Sequence, residues 1–216
     1  WMVSNNASLT HKATRSDFDG NGKSDILWQN DNGQAAIWLM NGASMTSGAQ
    51  VGPNLGTGWK VIGSGDFNGD GEADILWQSS NGQAGIWLMN GTAVTSQAQV
   101  GPNLGMSWHV IASGDFDGDG KADILWQSDS GQAGIWLMNG MSVTSQAQVG
   151  PNLGTSWKVI GSGDFNGDGK ADILWQNSNG QAGIWLMNGM SVTTQAQVGE
   201  NPGPSWHVAG SGDFDG

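Results

Sequence analysis

The 216-residue sequence contains no cysteine and no tyrosine. The first absence removes disulfides, thiolate zinc sites and cysteine nucleophiles together. Basic residues are scarce, 7 against 19 acids, giving a formal charge of −12 that repels a nucleic-acid backbone. There are only three histidines. His11, His109 and His207 share one register with Lys60 and Lys158, and a position that accepts either residue is a poor place for a general base. No apolar run approaches the roughly 18 residues of a membrane-spanning helix, and Trp1 to Ser16 lacks the basic start and apolar middle of a signal peptide. What the chain has in excess is glycine, 37 residues, and tryptophan, 13. The first implies many tight turns, the second a substantial core without many aliphatic residues.

Self-similarity organises everything else. The string DILWQ begins at Asp25, Asp74, Asp123 and Asp172, a period of 49 residues without slippage. IWLMNG keeps the same spacing, with Trp38, Trp87, Trp136 and Trp185, and another tryptophan recurs at Trp59, Trp108, Trp157 and Trp206. Each unit reads as four short strands. In the second unit these are 59–65, 74–78, 83–89 and 94–100, separated by an Asp/Gly loop, a Ser80-Asn81-Gly82 turn and an Asn90-Gly91 turn. The second and third strands are apolar on successive residues, so both of their faces must be covered, whereas the fourth alternates and has one wet face. Four-stranded units of this length, covered on both sides and repeated at a fixed period, predict an all-β fold, a β-propeller of antiparallel blades. A β-solenoid would have shorter coils and no use for three tryptophans in each.

The predicted organisation is an extension over 1–9, blades at 10–58, 59–107, 108–156 and 157–205, and one further first strand at 206–216. That last strand keeps the pattern better than Thr10 to Ser16, so it is expected to seal the first blade, within the chain or by self-association; a larger ring is the alternative.

Most of the acids fall in a recurring loop: DFDGNGKSD from Asp17, DFNGDGEAD from Asp66, DFDGDGKAD from Asp115 and DFNGDGKAD from Asp164, with a truncated copy at 213–216. Carboxylates packed so closely repel one another unless a cation sits among them. Oxygen donors without His or Cys point to Ca²⁺, about four ions per chain, with Mg²⁺ a poorer match. The expected ligands are the side chains at loop positions 1, 3, 5 and 9 with the backbone carbonyl of position 7. These are Asp17, Asp19, Asn21, Lys23 and Asp25; Asp66, Asn68, Asp70, Glu72 and Asp74; Asp115, Asp117, Asp119, Lys121 and Asp123; and Asp164, Asn166, Asp168, Lys170 and Asp172. A backbone ligand accounts for the free variation at position 7. Position 12 is tryptophan, where an EF-hand has its bidentate glutamate. The four-carboxylate loop at Asp115 is expected to bind most tightly.

The string GDFNGDGKADILW resembles the FG-GAP and VCBS repeats of integrin α-subunit heads, bacterial surface and secreted proteins, and propeller lectins. The resemblance implies a propeller with Ca²⁺ in the loop between the first two strands of each blade. Calcium at the level such loops need exists outside cells, so the chain is expected to be secreted or at the cell surface, and the shared His/Lys register leads to the expectation of no catalysis. Because propeller lectins of this kind hold sugars between adjacent blades, the repeated GPNLGTSW loop is a candidate glycan site through Asn54, Trp59, Asn103, Trp108, Asn152 and Trp157. The alternative is a structural or adhesion scaffold, a surface-protein segment or a designed array, with no small-ligand site.

Overall fold

A computed structural model describes residues 16–212. Among these there are only strands, and each sheet lies within one 49-residue unit. The first sheet contains β1 (Ile26–Gln29), β2 (Ala35–Asn41) and β3 (Ser44–Val51). The second contains β4 (Trp59–Gly65), β5 (Asp74–Ser79), β6 (Ala84–Asn90) and β7 (Ala93–Val100). The third is β8 (Trp108–Gly114), β9 (Asp123–Ser128), β10 (Ala133–Asn139) and β11 (Ser142–Val149). The fourth is β12 (Trp157–Gly163), β13 (Asp172–Asn177), β14 (Ala182–Asn188) and β15 (Ser191–Val198). Neighbours in sequence are neighbours in the sheet and run antiparallel, giving the propeller blades that the repeat pattern predicts.

The side-chain period of two explains why the middle strands are apolar throughout. On one face of the second blade, Ile75, Trp77, Trp87 and Met89 pack against Phe18, Ile37 and Val51 of the first. On the other, Leu76, Ala84, Ile86 and Val100 meet Ile124, Trp126, Trp136 and Met138 of the third. The third and fourth blades repeat this arrangement. Each such aliphatic side chain removed from water contributes about 1.5–3 kcal/mol. The outer strand β7 alternates exposed and half-buried residues, as a strand with one wet face should.

A glutamine joins each blade to the next. Gln78 donates through Nε2 to the Trp108 carbonyl (2.8 Å) and accepts the Val110 N–H on Oε1 (3.0 Å). Gln29 and Gln127 hold the starts of β4 and β12 in the same way. At the Ser79–Gln83 turn, Gly82 has φ +94°, and a Cβ there would run into the Gly105 carbonyl, in the loop that leads to the following blade. Only glycine permits both the backbone angle and the approach.

The expected closure of the ring by 206–216 is not made within the chain. Gln176 holds Trp206 (2.7 Å to its carbonyl) and Val208 (3.0 Å from its N–H), so 206–212 lies where a following blade would begin. No strand ladder connects it to β1, which pairs with β2 alone among the described residues. The physical reason is that the glutamine bridge that starts each following blade also holds Trp206 and Val208 on the fourth blade. Positions 10–15 of the alternative inner strand, and the truncated loop at 213–216, lie outside the described residues.

Candidate metal loops and inter-blade grooves

Each acidic loop folds around its own carboxylates. Asp66 accepts the N–H groups of Gly69 and Asp70 on Oδ1 (2.6 and 3.2 Å) and that of Gly71 on Oδ2 (2.9 Å). Asp17, Asp115 and Asp164 occupy the same place in their loops. Position 3 accepts the N–H of position 5 in every loop: Asp19 from Asn21, Asn68 from Asp70, Asp117 from Asp119 and Asn166 from Asp168. Position 5 accepts from position 7 in turn, as Asn21 does from Lys23, Asp70 from Glu72, Asp119 from Lys121 and Asp168 from Lys170. Glycines at positions 4 and 6 adopt positive φ, which turns the intervening amides inward.

Position 9 is buried and ties the loop to the sheet. Asp74 accepts the Phe67 N–H on Oδ2 and the Met89 N–H on Oδ1, both at 2.9 Å. Asp25, Asp123 and Asp172 make the equivalent pairs. Burial pushes Asp74 up to about 7, against the lowering effect of its two amide bonds, and Asp70 and Asp66 push it further the same way. Asp123 is likewise pushed up to about 7, first by burial, with Asp117 and Asp115 adding to it. Asp172 moves in the same direction for the same leading cause. A cation beside these groups would offset both burial and mutual repulsion.

Two carboxylate sets converge tightly enough for one ion. In Asp17, Asp19 and Asp25, and in Asp115, Asp117 and Asp123, one oxygen from each residue lies within 4.8 Å of the others. Oxygens ~2.4 Å from a shared Ca²⁺ are at most ~4.8 Å apart, so the spacing fits that ion. The amide bonds to position 9 leave carboxylate lone pairs for a metal. In the loops at 66 and 164 the third position is Asn68 or Asn166, which offers an amide oxygen in place of a carboxylate.

The position-7 side chains do something the sequence did not disclose: they cross to the preceding loop. Glu72 lies over Gly20, Lys121 over Gly69 and Lys170 over Gly118. Lys121 also bonds its own loop, its Nζ reaching Asp119 Oδ2 at 3.0 Å, and that bond raises its pKa. Glu72 is pushed above the usual carboxylate range by burial first and then by Asp70. The loops are further joined by backbone bonds from Ala73 to the Asp17 carbonyl and from Ala122 to that of Asp66, each 2.6 Å.

The candidate glycan residues separate into two kinds. Asn54, Asn103 and Asn152 are exposed, but each uses its amide oxygen on its own loop, accepting from Gly56, Gly105 and Gly154 at 2.8 Å. Trp59, Trp108 and Trp157 are half-buried, their rings lying against Gly85, Gly134 and Gly183. Trp108 lines a groove of about 250 Å³ between the second and third blades, together with Lys60, Ser79, Ser80, Met106 and His109. Trp157 lines a depression of about the same volume on the fourth blade with Trp175, Trp185, Gln195 and Gln197. Trp175 Nε1 is buried with no hydrogen-bond partner, as are Trp77 Nε1 and Trp126 Nε1. The signal for Met106 was a break in repeat identity, since it stands where the neighbouring blades have Thr57 and Thr155; Ser79 and Ser80 recur at Ser128 and Ser178 and gave none.

The FG-GAP-like repeat model matches the chain three times, over residues 17–77, 66–126 and 115–175. Each match runs from an acidic loop to the second strand of the following blade. No curated protein matches. Among solved structures, that of BBS1N in complex with ARL6DN is 11% identical, with 88% of this chain and 54% of that chain covered and a TM-score of 0.48. The Neurospora crassa Pan2 WD40 domain is 13% identical, with 87% and 51% covered and a TM-score of 0.48. This chain thus spans about half the length of either.

Proposed function

The chain belongs to the FG-GAP-like repeat family, and on that footing we propose that it is a non-enzymatic, calcium-binding β-propeller module that works outside the cell as a multivalent glycan binder. The convergence of Asp115, Asp117 and Asp123 within 4.8 Å is the observation that supports calcium most strongly. Bound Ca²⁺ would neutralise the loop carboxylates and link the first two strands of a blade. Asp17, Asp66, Asp115 and Asp164 and their loop partners would hold about four ions per chain. Millimolar calcium is an extracellular condition, which is the reason for the assignment to secretion or the cell surface.

For the ligand, the groove is lined by the Trp108 indole, the Ser80 hydroxyl and the amine of Lys60, the Ser79 hydroxyl being used within its own turn on Asn81 and Gln83. Such a surface suits the apolar side and the hydroxyl edge of a sugar ring. Related surfaces on successive blades would give avidity. The amides of Asn54, Asn103 and Asn152 are turned to their own loops, so the tryptophans and the serine-bearing turn carry the proposed contact instead. His109 pairs with the exposed carboxylate of Asp129 at 2.8 Å, and lysine stands in its place at Lys60 and Lys158, which favours a non-catalytic reading. The alternative of a scaffold without a ligand site draws on the internal use of those same asparagine amides.

Binding to an immobilised glycan array in calcium, for the natural chain and for Trp108→Ala, tests the proposal. Binding that weakens in the variant is the expected result. Calcium loading without any glycan binding would support the scaffold reading.

A further inference from the structure

The loop residue that varies between blades is placed by the fold on its neighbour. Ala73, next after Glu72, donates its N–H to the Asp17 carbonyl, Ala122 after Lys121 does the same to Asp66, and Ala171 after Lys170 to Asp115, each at 2.6 Å. These bonds set the position-7 side chain over the preceding loop three times. A Cβ on Gly20 would lie 3.4 Å from Glu72 Cγ, one on Gly69 3.4 Å from Lys121 Cγ, and one on Gly118 3.2 Å from Lys170 Cε. Each of these glycines directly follows a position-3 residue, Asp19, Asn68 or Asp117. The Asp17 loop therefore meets a carboxylate side chain of the second blade, whereas the Asp66 and Asp115 loops have a lysine in that place.

Glu72 is also left with an orphaned atom. Its Oε2 is buried and has no hydrogen-bond partner, a costly state for a carboxylate oxygen. Burial weighs most on this group, and the carboxylates that repel it are Asp70 of its own loop and Asp19 and Asp17 of the preceding one. Asp17 and Asp19, with Asp25, are the set whose oxygens converge within 4.8 Å. A cation among them would offset the repulsion that Glu72 meets there. We infer that position 7 of a blade sets the calcium affinity of the loop before it: Glu72 adds a fourth carboxylate charge to Asp17, Asp19 and Asp25 and tightens that site, while Lys121 and Lys170 loosen the Asp66 and Asp115 loops. This rests on the calcium reading proposed above, and it gives Glu72 a role in a site on another blade besides that of its backbone in its own. Charge count tunes calcium affinity in oxygen-donor loops. Here part of the count comes across a blade boundary.

Calcium titration of the full chain followed by NMR reads each loop separately through a glycine amide. Gly22, bonded to Asp17 Oδ2 at 2.7 Å, reports the first loop, and Gly71, bonded to Asp66 Oδ2 at 2.9 Å, the second. Glu72→Gln keeps the shape of the side chain and removes its charge. It should raise Kd at Gly22 about five- to tenfold, the order expected of one unit charge acting on a divalent ion across a solvated loop, and Glu72→Lys should raise it further. Lys121→Glu should lower Kd at Gly71. Calcium bound at Gly22 with the same Kd in the natural chain, Glu72→Gln and Glu72→Lys would overturn this inference and leave the calcium reading standing. A change confined to Gly71 in the Glu72 variants would overturn it too, since the charge would then act within its own loop. No calcium-dependent shift at any loop glycine of the natural chain would overturn both.

Discussion

Asp74 Oδ1 accepts the backbone N–H of Met89 at 2.9 Å, which fastens the end of an acidic loop to the third strand of its own blade. Its other oxygen takes the N–H of Phe67 from the loop's start. One buried side chain thus closes the loop and anchors it, before any metal is considered. Asp74→Ala leaves two buried amides without partners and should lower unfolding free energy by about 2–5 kcal/mol. Asp74→Asn, which keeps an acceptor oxygen, should lose less. Urea unfolding of both variants without calcium checks the order; equal losses would contradict it.

The raised values of Asp74 and Asp123, each about 7, set a pH dependence for the metal-free protein. Their folded-state values lie above those of the unfolded chain, so the folded state binds more protons in between. Their contribution is fully present below about pH 4 and is lost as pH rises through about 7. Melting temperature in chelator should therefore fall between pH 5 and pH 8. Saturating calcium should flatten or reverse that trend, since the ion competes with the same protons.

Charge count alone ranked the Asp115 loop as the tightest calcium site. The Lys121 ammonium 3.0 Å from Asp119 Oδ2 changes that expectation, because a cation of the protein already uses one carboxylate. Lys121→Met should tighten calcium binding at this loop, visible in calorimetry as a strengthened highest-affinity class. Unchanged affinity would show that the ammonium moves aside at no cost.

Repeat period, strand number and loop chemistry were legible because they are local: DILWQ and IWLMNG announce strands covered on both faces, and Asn90-Gly91 announces a turn. Gln78 was not legible as a link between blades, since its partners Trp108 and Val110 lie about 30 residues away and are addressed through their backbone. The register shift around Ile62 between β4 and β5 was equally silent, since the same shift occurs beside Gly63 and Gly161 and also beside Ala112. Position 7 varies between Lys and Glu in the sequence, but the path of its side chain over the preceding loop depends on how one blade sits on the next. The Gln176 bridge to Trp206 and Val208, addressed through their backbone, was silent in the same way, and it keeps 206–212 on the fourth blade where closure onto β1 was expected.

The Gln78 link yields its own test. Gln78→Ala removes the acceptor for the Val110 N–H and the donor for the Trp108 carbonyl, and should cost about 1–3 kcal/mol. Hydrogen exchange at the Val110 amide should accelerate more than at Val61, which is held by Gln29 and not by the mutated residue. Equal protection at both would mean that the glutamine bridges are incidental to blade docking.

Under the proposed function the four acidic loops are calcium sites that stabilise the array, and calorimetric titration of the chelator-stripped chain with Ca²⁺ tests this most directly. About four ions per chain should bind, and each site saturated at about 100 times its dissociation constant would add roughly 2.7 kcal/mol to stability, so the melting temperature should rise with the titration. No heat of binding, with a melt that is the same in calcium and in chelator, would show that Asp17, Asp66, Asp115 and Asp164 head ordinary turns and would contradict the account.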